Sequence, residues 1–546
     1  MFINFSYYSW VFAILAAAST AFAALRSIHM LQLESYQGNM YIKWLIRAGR
    51  SELIVGALSA FVAIMLRLGW ALFYYTMPYL SYYLQYIGDA AYVLMMLYIG
   101  FTGWKKPAKK PLVFTARAIR LLCALFVLAS VFHMTLFLNL PVYRWVPAIS
   151  QNIIRFLPGM LLPLFVLLAH YVTWPIETLI NRWYFNDAKK KLGARQDLIK
   201  IGITGSYGKT STKFILGEIV SQRYNTLVTP DSFNTPMGVT RVARETLSPE
   251  HRVFVAEMGA RYRGDIKELC TLVSPRYGIL TSVGKQHLDT FGDYETLTAT
   301  KAELLQAIPG DGAVFINGDN PDCVQLYRDC EAKHKYLYGI EGENLCMKAV
   351  DIHVGKTGSS FSLLADTGEK ADCHTVLLGK HNILNIAGAA ALARYLGLTM
   401  DEIAAGVANI KPVQHRLQLI EGALTVIDDA YNANPAGTKA ALEVLAAFAP
   451  EKRVIVTPGM IELGDEEDAL NYQFGRDIAA AADIAILVGG RHVAPVKRGL
   501  LDAGFDENAV VQVKSLDEAG KKLPLYAEPG SVVLFENDLP DNYEES

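Results

Sequence analysis

Hydrophobic residues are laid along this chain in two regimes. Up to about Trp174, long apolar runs are separated by short polar stretches, and from Asp197 onward short apolar runs alternate with polar, helix-compatible sequence. About five runs in the first regime are long enough to span a bilayer: Phe5 to Leu25, Leu53 to Phe73, Tyr79 to Gly103, Ile119 to Leu140 and Ile153 to Trp174. Ala21, Phe22 and Ala23 resemble a signal-peptide cleavage site, but no basic residue precedes the first run, which predicts a retained span. In the second regime, β-rich runs at Ile199 to Thr204, Val253 to Met258, Tyr277 to Ser282 and Ala313 to Asn317 each precede a helix-like stretch. That alternation predicts α/β architecture with a largely parallel sheet. A second, smaller doubly wound pattern starts at Ala423. Its strands are expected at Leu424 to Ile427, Arg453 to Thr457, Ile484 to Val488 and Val532 to Phe535, and its helices at Pro435 to Phe448 and Leu470 to Ala481. The fold class expected is an α-helical transmembrane bundle followed by α/β.

Composition agrees with this division. The chain has 546 residues, enough for two to four domains, and 52% are hydrophobic. Mean hydropathy is +0.22, high for a chain without membrane segments. Basic residues set the expected orientation. Arg26, Lys43, Arg47 and Arg50 follow the first span, Lys105, Lys106, Lys109, Lys110 and Arg117 the third, and Arg182 and Lys189 to Lys191 the fifth. By the positive-inside rule the N-terminus is expected outside and everything after about Asn186 in the cytoplasm. Six cysteines without a C-x-x-C pair fit reduced thiols. A net charge of −2 offers no footprint for nucleic acid.

Arg67, Asp89, His133 and His170 fall inside the spans, while Arg120 and Arg155 lie near span ends, within snorkelling reach of water. Arg67 and Asp89, on consecutive spans, are candidates to pair with each other. Two roles stay open for them, a polar-substrate or headgroup site and plain helix–helix pairing.

The stretch Gly202 to Thr212, GITGSYGKTST, stands where an apolar strand turns into a helix. Gly205 and Gly208 let the backbone turn tightly around an anion, Lys209 reaches terminal phosphates, and the Thr210 hydroxyl suits Mg²⁺. The loop is a variant, because Ile203 stands five residues before Gly208, where the common phosphate loop has glycine. Ligands of parallel sheets gather beyond strand carboxyl ends. Glu257 ends one such strand and His287 follows another, so both are candidate Mg²⁺ ligands, although either type of residue also serves as a cap or a core hydrogen-bonding group.

The ordered succession GITGSYGKTSTK, NTPMGV, EMGARYRGDI, TSVGKQHLDTFGD, KAEL, GKHNILNIAGAAALA, QHRLQ and DDAYNANP resembles the Mur ligases, from about Ile199 to at least Gly464. The likeness is strongest to the branch that adds D-alanyl-D-alanine to UDP-muramoyl-tripeptide. It implies a central ATPase domain at 186–412 and a C-terminal Rossmann-like domain at 413–546, after a membrane domain at 1–185. Gly205, Ser206, Gly208 and Lys209 would hold the phosphates of ATP. Thr210 and Glu257 would bind one Mg²⁺ and His287 a second. Lys301 matches a lysine that is carbamylated in the family, a change that turns a cation into a carboxylate able to ligate or position Mg²⁺. Asn382, Asn385 and Arg416 match nucleotide contacts, as does Asp429, whose neighbour Asp428 is a second candidate. Tyr431, Asn432 and Asn434 would shape the same loop, and Lys411 to Gln414 the hinge. Catalysis would fall to Lys209, Lys301, His287 and Glu257, through an acyl phosphate that an amine then displaces.

Two departures bear on substrates. Membrane spans stand where the family carries its UDP-sugar domain, which points to a lipid-linked or membrane-proximal carboxylate acceptor, with membrane lipids and an amino acid or dipeptide amine as further partners. Glu536, Asn537 and Asp538 stand where that branch has a basic, glycine- and serine-containing loop. An acidic loop suits a cationic group, unless the tail is simply a solvated end. Arg491 and His492 are further candidates to touch the amine. An ATP-driven transporter and a binding pseudoenzyme are the other classes. The first lacks internal duplication, and the second sits poorly with a full set of catalytic positions.

Overall fold

The computed structural model describes residues 2–47, 50–73, 77–105, 110–134, 148–231, 233–286, 288–431, 433–461, 463–490 and 493–538. Two compact units divide it, one through Asn181 and one from Arg182.

The first unit is helical: α1 (Phe2–Ala23), α2 (Leu25–Leu33), α3 (Gly38–Arg47), α4 (Arg50–Phe73), α5 (Pro78–Trp104), α6 (Ala116–Met134), α7 (Ala148–Met160) and the start of α8 (Leu162–Ala194). Among the described residues, three helical stretches are long and apolar enough to cross a membrane: Tyr86–Trp104, Ala116–Met134 and Leu162–Ala194. A fourth results if Trp10–Ala23 and Leu25–Leu33, bent by 40°, count as one. Leu53–Leu66, within another expected span, is a shorter apolar helical stretch. The expected span from Ile153 to Trp174 is two helices that meet at Leu161, beside Pro163, which has no N–H to give the preceding turn. Small residues bring α4 and α7 together there: a Cβ on Gly56 would meet the Gly159 carbonyl at 2.4 Å.

In the helical unit Asp89 meets a charged residue that the sequence did not pair with it. Asp89 bonds Arg155, Nη2 to Oδ2 at 3.0 Å, with both side chains 1% exposed. Arg155 therefore does not snorkel; its guanidinium lies 4.0 Å from the centre of the Phe12 ring. The side chain of Arg67 lies outside the described residues. Arg120 holds Glu177 through two hydrogen bonds, at 2.6 and 2.8 Å.

The second unit carries two sheets. The first contains β1 (Ile199–Thr204), β2 (Thr226–Val228), β3 (Val253–Glu257), β4 (Tyr277–Leu280), β5 (Ala313–Asn317), β6 (Lys335–Gly339), β7 (Leu345–Val354), β8 (Ser359–Ala365) and β9 (Lys370–Thr375), in the order β2-β3-β1-β4-β5-β6-β7-β8-β9. Pairing is parallel up to β7 and antiparallel from β7 through β9. The helices are α9 (Lys209–Val220), α10 (Pro236–Glu245), α11 (Asp265–Val273), α12 (Leu288–Phe291), α13 (Tyr294–Ala307), α14 (Pro321–Asp329), α15 (Lys380–Tyr395) and α16 (Met400–Ala408). Ile201 and Ile203 of β1 pack with α9 and α15 on one face, while Phe254 and Ala256 of β3 pack with α11 and α13 on the other. Gly202 makes room on that second face, since a Cβ there would meet Leu304 and Met258 at 2.9 Å.

The second sheet orders β10 (Gln418–Ile420), β11 (Thr425–Asp429), β12 (Arg453–Thr457), β13 (Ile484–Val488), β14 (Val510–Val513) and β15 (Val532–Glu536) as β10-β11-β15-β12-β13-β14. All pairs are parallel except β10 with β11. Helices α17 (Pro435–Ala446), α18 (Glu467–Ala481), α19 (Ala494–Asp502) and α20 (Leu516–Lys522) complete it.

Breaking a buried ion pair from one side leaves a charge without compensation, at a cost of about 3–5 kcal/mol. Arg155→Ala is therefore expected to lower the unfolding midpoint of the purified protein sharply, with Asp89→Leu in the same chain recovering part of the loss. Additive losses in the double variant would show that the pair is not coupled.

Candidate active site

The turn from β1 into α9 has the geometry of an anion site. Gly205 has φ 154° and Gly208 φ 79°, and no side chain caps the first turn of α9. The loop is stitched to the segment after β4. Tyr207 donates its N–H to Ser282 Oγ (2.8 Å), Ser206 Oγ donates to the Gly284 carbonyl (2.8 Å), and the Tyr207 hydroxyl donates to the Lys285 carbonyl (2.6 Å). Lys209 folds back onto its own loop and donates to the carbonyls of Gly205 and Ser206, at 2.7 and 2.8 Å. Burial pushes its pKa down to about 8 against the pull of Glu257, with Arg416 pushing the same way as burial.

Glu257 ends β3 almost fully buried, and both its oxygens are engaged: Asn234 donates to Oε1 (2.9 Å) and Lys213 to Oε2 (3.1 Å). Burial alone would raise its pKa; Lys213, then Lys209, holds it below the usual value. Neither Lys213 nor Asn234 was singled out from sequence. The available signal was spacing, since Lys213 lies one helical turn after Lys209 and so on the same face of α9.

Lys301, on α13, is buried, and its pKa is lowered well below normal, first by burial and then by the charge of Lys209. Asn385, near the start of α15, presses on the phosphate loop so closely that a Cβ on Gly208 would meet its Oδ1 at 2.6 Å. Asn382 is buried and donates to the Leu378 carbonyl at 2.9 Å. Arg416 stacks 4.4 Å over the Tyr431 ring and acts electrostatically on Lys209, Lys213 and Asp429. Gly205, Ser206, Gly208, Lys209, Glu257, Lys301, Asn385 and Arg416 thus share one neighbourhood. His287, Asn432, Arg491 and His492 lie outside the described residues.

Mg²⁺ typically takes one or two protein carboxylates and fills its shell with water and phosphate oxygens. An ionised Glu257 and the Thr210 hydroxyl would supply that donor set, although no cluster of three His, Cys, Asp or Glu side chains suited to a metal occurs among the described residues.

The hinge and the end of β15 are tied into the sheet. His415 (φ 60°) and Leu417 (φ 45°) turn the chain between the sheets, and β11 grips that turn: His415 Nδ1 lies 2.7 Å from Asp428 Oδ2, and the Leu417 N–H donates to Asp429 Oδ1 at 3.1 Å. The two adjacent acids therefore hold different parts of the hinge. Glu536 lies at the end of β15 and is buried, neither a solvated end nor an open acidic loop. Lys285 bonds Glu466 across the two domains at 2.6 Å, as Lys356 does Glu451 at 2.7 Å.

Adding a methyl group at Gly208 would strain a left-handed backbone and collide with Asn385. Gly208→Ala is expected to weaken ADP binding by about tenfold or more, from about 1–3 kcal/mol of local strain, with the circular dichroism spectrum unchanged. Calorimetric titration with ADP measures it, and unaltered affinity would remove the loop from the nucleotide site.

Residues 203–393 match the Mur ligase middle domain, and residues 415–536 the Mur ligase, glutamate ligase domain. Over 316 residues the chain is 34% identical to the UDP-N-acetylmuramoyl-tripeptide–D-alanyl-D-alanine ligase of Escherichia coli (strain K12), which covers 57% of this chain and 69% of that protein. MurF from Acinetobacter baumannii superposes with a TM-score of 0.60 at 26% identity, over 66% of this chain and 78% of that one. The MurF ligase of Thermotoga maritima in complex with ADP shares the fold, with a TM-score of 0.59 at 24% identity over 66% and 80% of the two chains. With the second sheet, the loop between β1 and α9 and all of the first sheet but the start of β1 inside the matched regions, the chain belongs to the Mur ligase family and is an ATP-dependent carbon–nitrogen ligase.

Proposed function

We propose that this protein is a MurF-type ligase that joins the amine of D-alanyl-D-alanine to the terminal carboxylate of UDP-N-acetylmuramoyl-tripeptide. The observation that carries this reading is the 34% identity to the E. coli ligase of that name over 316 residues, beside the matches to both Mur ligase domains. In the reaction a carboxylate oxygen of the acceptor attacks the γ-phosphorus of ATP and ADP leaves. The amine nitrogen then attacks the acyl carbon, phosphate leaves, and the nitrogen loses a proton.

This chain's residues mainly position and neutralise. Backbone N–H groups at the start of α9 and the Lys209 ammonium meet the phosphates, where charge spreads during phosphoryl transfer. Thr210 and Glu257 would hold one Mg²⁺ and His287 a second, and the contribution of both would be to neutralise phosphate charge. Lys213 and Asn234 keep the Glu257 carboxylate ionised and aimed. Asn382, Asn385, Arg416 and Asp429 surround the nucleotide. Lys301, its ammonium disfavoured by burial, has the neutral amine that condenses with CO₂ to a carbamate and a proton.

The helical unit supports a second reading, in which the enzyme sits in the cytoplasmic membrane, its N-terminus outside and its catalytic domains inside, and takes a lipid-linked acceptor. Three helices of span length support it, with exposed apolar residues such as Leu94, Val127 and Leu179.

With ATP, Mg²⁺, UDP-N-acetylmuramoyl-tripeptide and D-alanyl-D-alanine, purified full-length protein is expected to release ADP and form the amide in equal amounts, as read by mass spectrometry. Lys209→Ala is expected to slow turnover about a hundredfold or more. ADP release only when an envelope lipid extract replaces the soluble acceptor would overturn the first reading for the second, and release without an amine would point to transport. Carbamylation has its own readout: ¹³C-bicarbonate is expected to give a carbamate carbon signal in the wild type that disappears in Lys301→Ala. A signal retained in that variant would rule Lys301 out.

A further inference from the structure

β15 lies in the C-terminal sheet between β11 and β12, and its last residue is a carboxylic acid that the reaction above does not use. In the parallel pairing with β11, Glu536 stands directly across from Asp429. Both residues end their strands, at the edge where parallel sheets receive ligands. Glu536 is 1% exposed, and its Oε2 has no hydrogen-bond partner among the described residues. Residues paired in register on neighbouring parallel strands present their side chains on the same face of the sheet, so the two carboxyls are neighbours there.

Two ionised carboxylates repel one another strongly where water is excluded, and neither can donate a hydrogen bond. A proton shared between two such neighbours removes the repulsion and supplies a donor. The surrounding charges leave this arrangement intact. Arg416, from the hinge, acts on Asp429, as does Asp428 of the same strand, which is itself engaged by His415. Among the described residues, Asp429 is the charged group that acts on Glu536. Burial pushes the Asp429 carboxyl up to about 6 and that of Glu536 well above the usual carboxylate range.

The neighbouring backbone is built to keep the two strand ends together. Asn537, at φ 69°, donates its N–H to the Asp429 carbonyl (3.2 Å). Its side-chain amide donates to the Gly459 carbonyl (2.6 Å) and accepts from the Ala433 N–H (3.3 Å). Asp429 in turn receives the Leu417 N–H of the hinge.

We propose that Glu536 is a positioning residue: one proton held between the Glu536 and Asp429 carboxyls fixes Asp429 so that it grips the hinge at Leu417 and faces the nucleotide. The role goes beyond ligation itself and rests on the reading that Asp429 contacts nucleotide.

Two measurements on the full-length protein at neutral pH test it. Infrared difference spectroscopy is expected to show the C=O stretch of a protonated, buried carboxyl in the wild type, absent in Glu536→Gln. Calorimetry is expected to give Glu536→Gln an ADP affinity within about twofold of wild type, since an amide replaces the hydrogen bond, and Glu536→Leu one about tenfold weaker. A missing band overturns the shared proton, and Glu536→Leu binding ADP like the wild type overturns the positioning role. Asp429→Ala separates the two readings. If it binds ADP normally while the wild type shows the band, the nucleotide reading of Asp429 fails and the positioning role with it. If it binds poorly and the wild type shows no band, only the proton pair fails.

Discussion

A carboxylate kept ionised without water is the constraint around which the catalytic domain is arranged. Glu257 lies at the end of a strand buried on both faces, where an unpaired charge would be strongly disfavoured. Its compensation comes from below, from a lysine on α9 that is itself sealed from solvent, and from the Asn234 amide ahead of α10. Those partners fix how α9 sits against β1 and β3, and therefore where the loop at the start of α9 opens. The phosphate cradle and the candidate metal ligand are thus two faces of one packing problem. The parallel order of the sheet brings them together, with β1 between β3 and β4 and all three strand ends at one edge.

Much of this was legible in the sequence, for physical reasons. β1, β5, β12 and β13 coincide with their expected ranges because these parallel strands are largely apolar and stand out as short runs between polar stretches. β6 through β9 were not foreseen. β9, the sequence KADCHT, alternates outward Lys370, Asp372 and His374 with inward Ala371, Cys373 and Thr375, and so looks polar until a neighbouring strand exists. In the site, glycine and lysine positions were readable from local backbone chemistry. The partners of Glu257 and Glu536 were not, because both depend on which strands become neighbours.

The helical unit shows the same limit. Hydropathy located its apolar helices but could not say which charge meets which, and Asp89 found its partner 66 positions away on α7. Proline chemistry, in contrast, was local enough to have been used, since Pro163 already marks where the last expected span divides.

The bridges between the two catalytic domains, Lys285 to Glu466 and Lys356 to Glu451, lie roughly half in water. Exposed pairs of this kind are worth less than about 1 kcal/mol each and weaken as salt rises. A clasp made of such contacts joins the domains with little energy of its own, so ionic strength becomes a dial on how firmly the two halves of the ligase are held together.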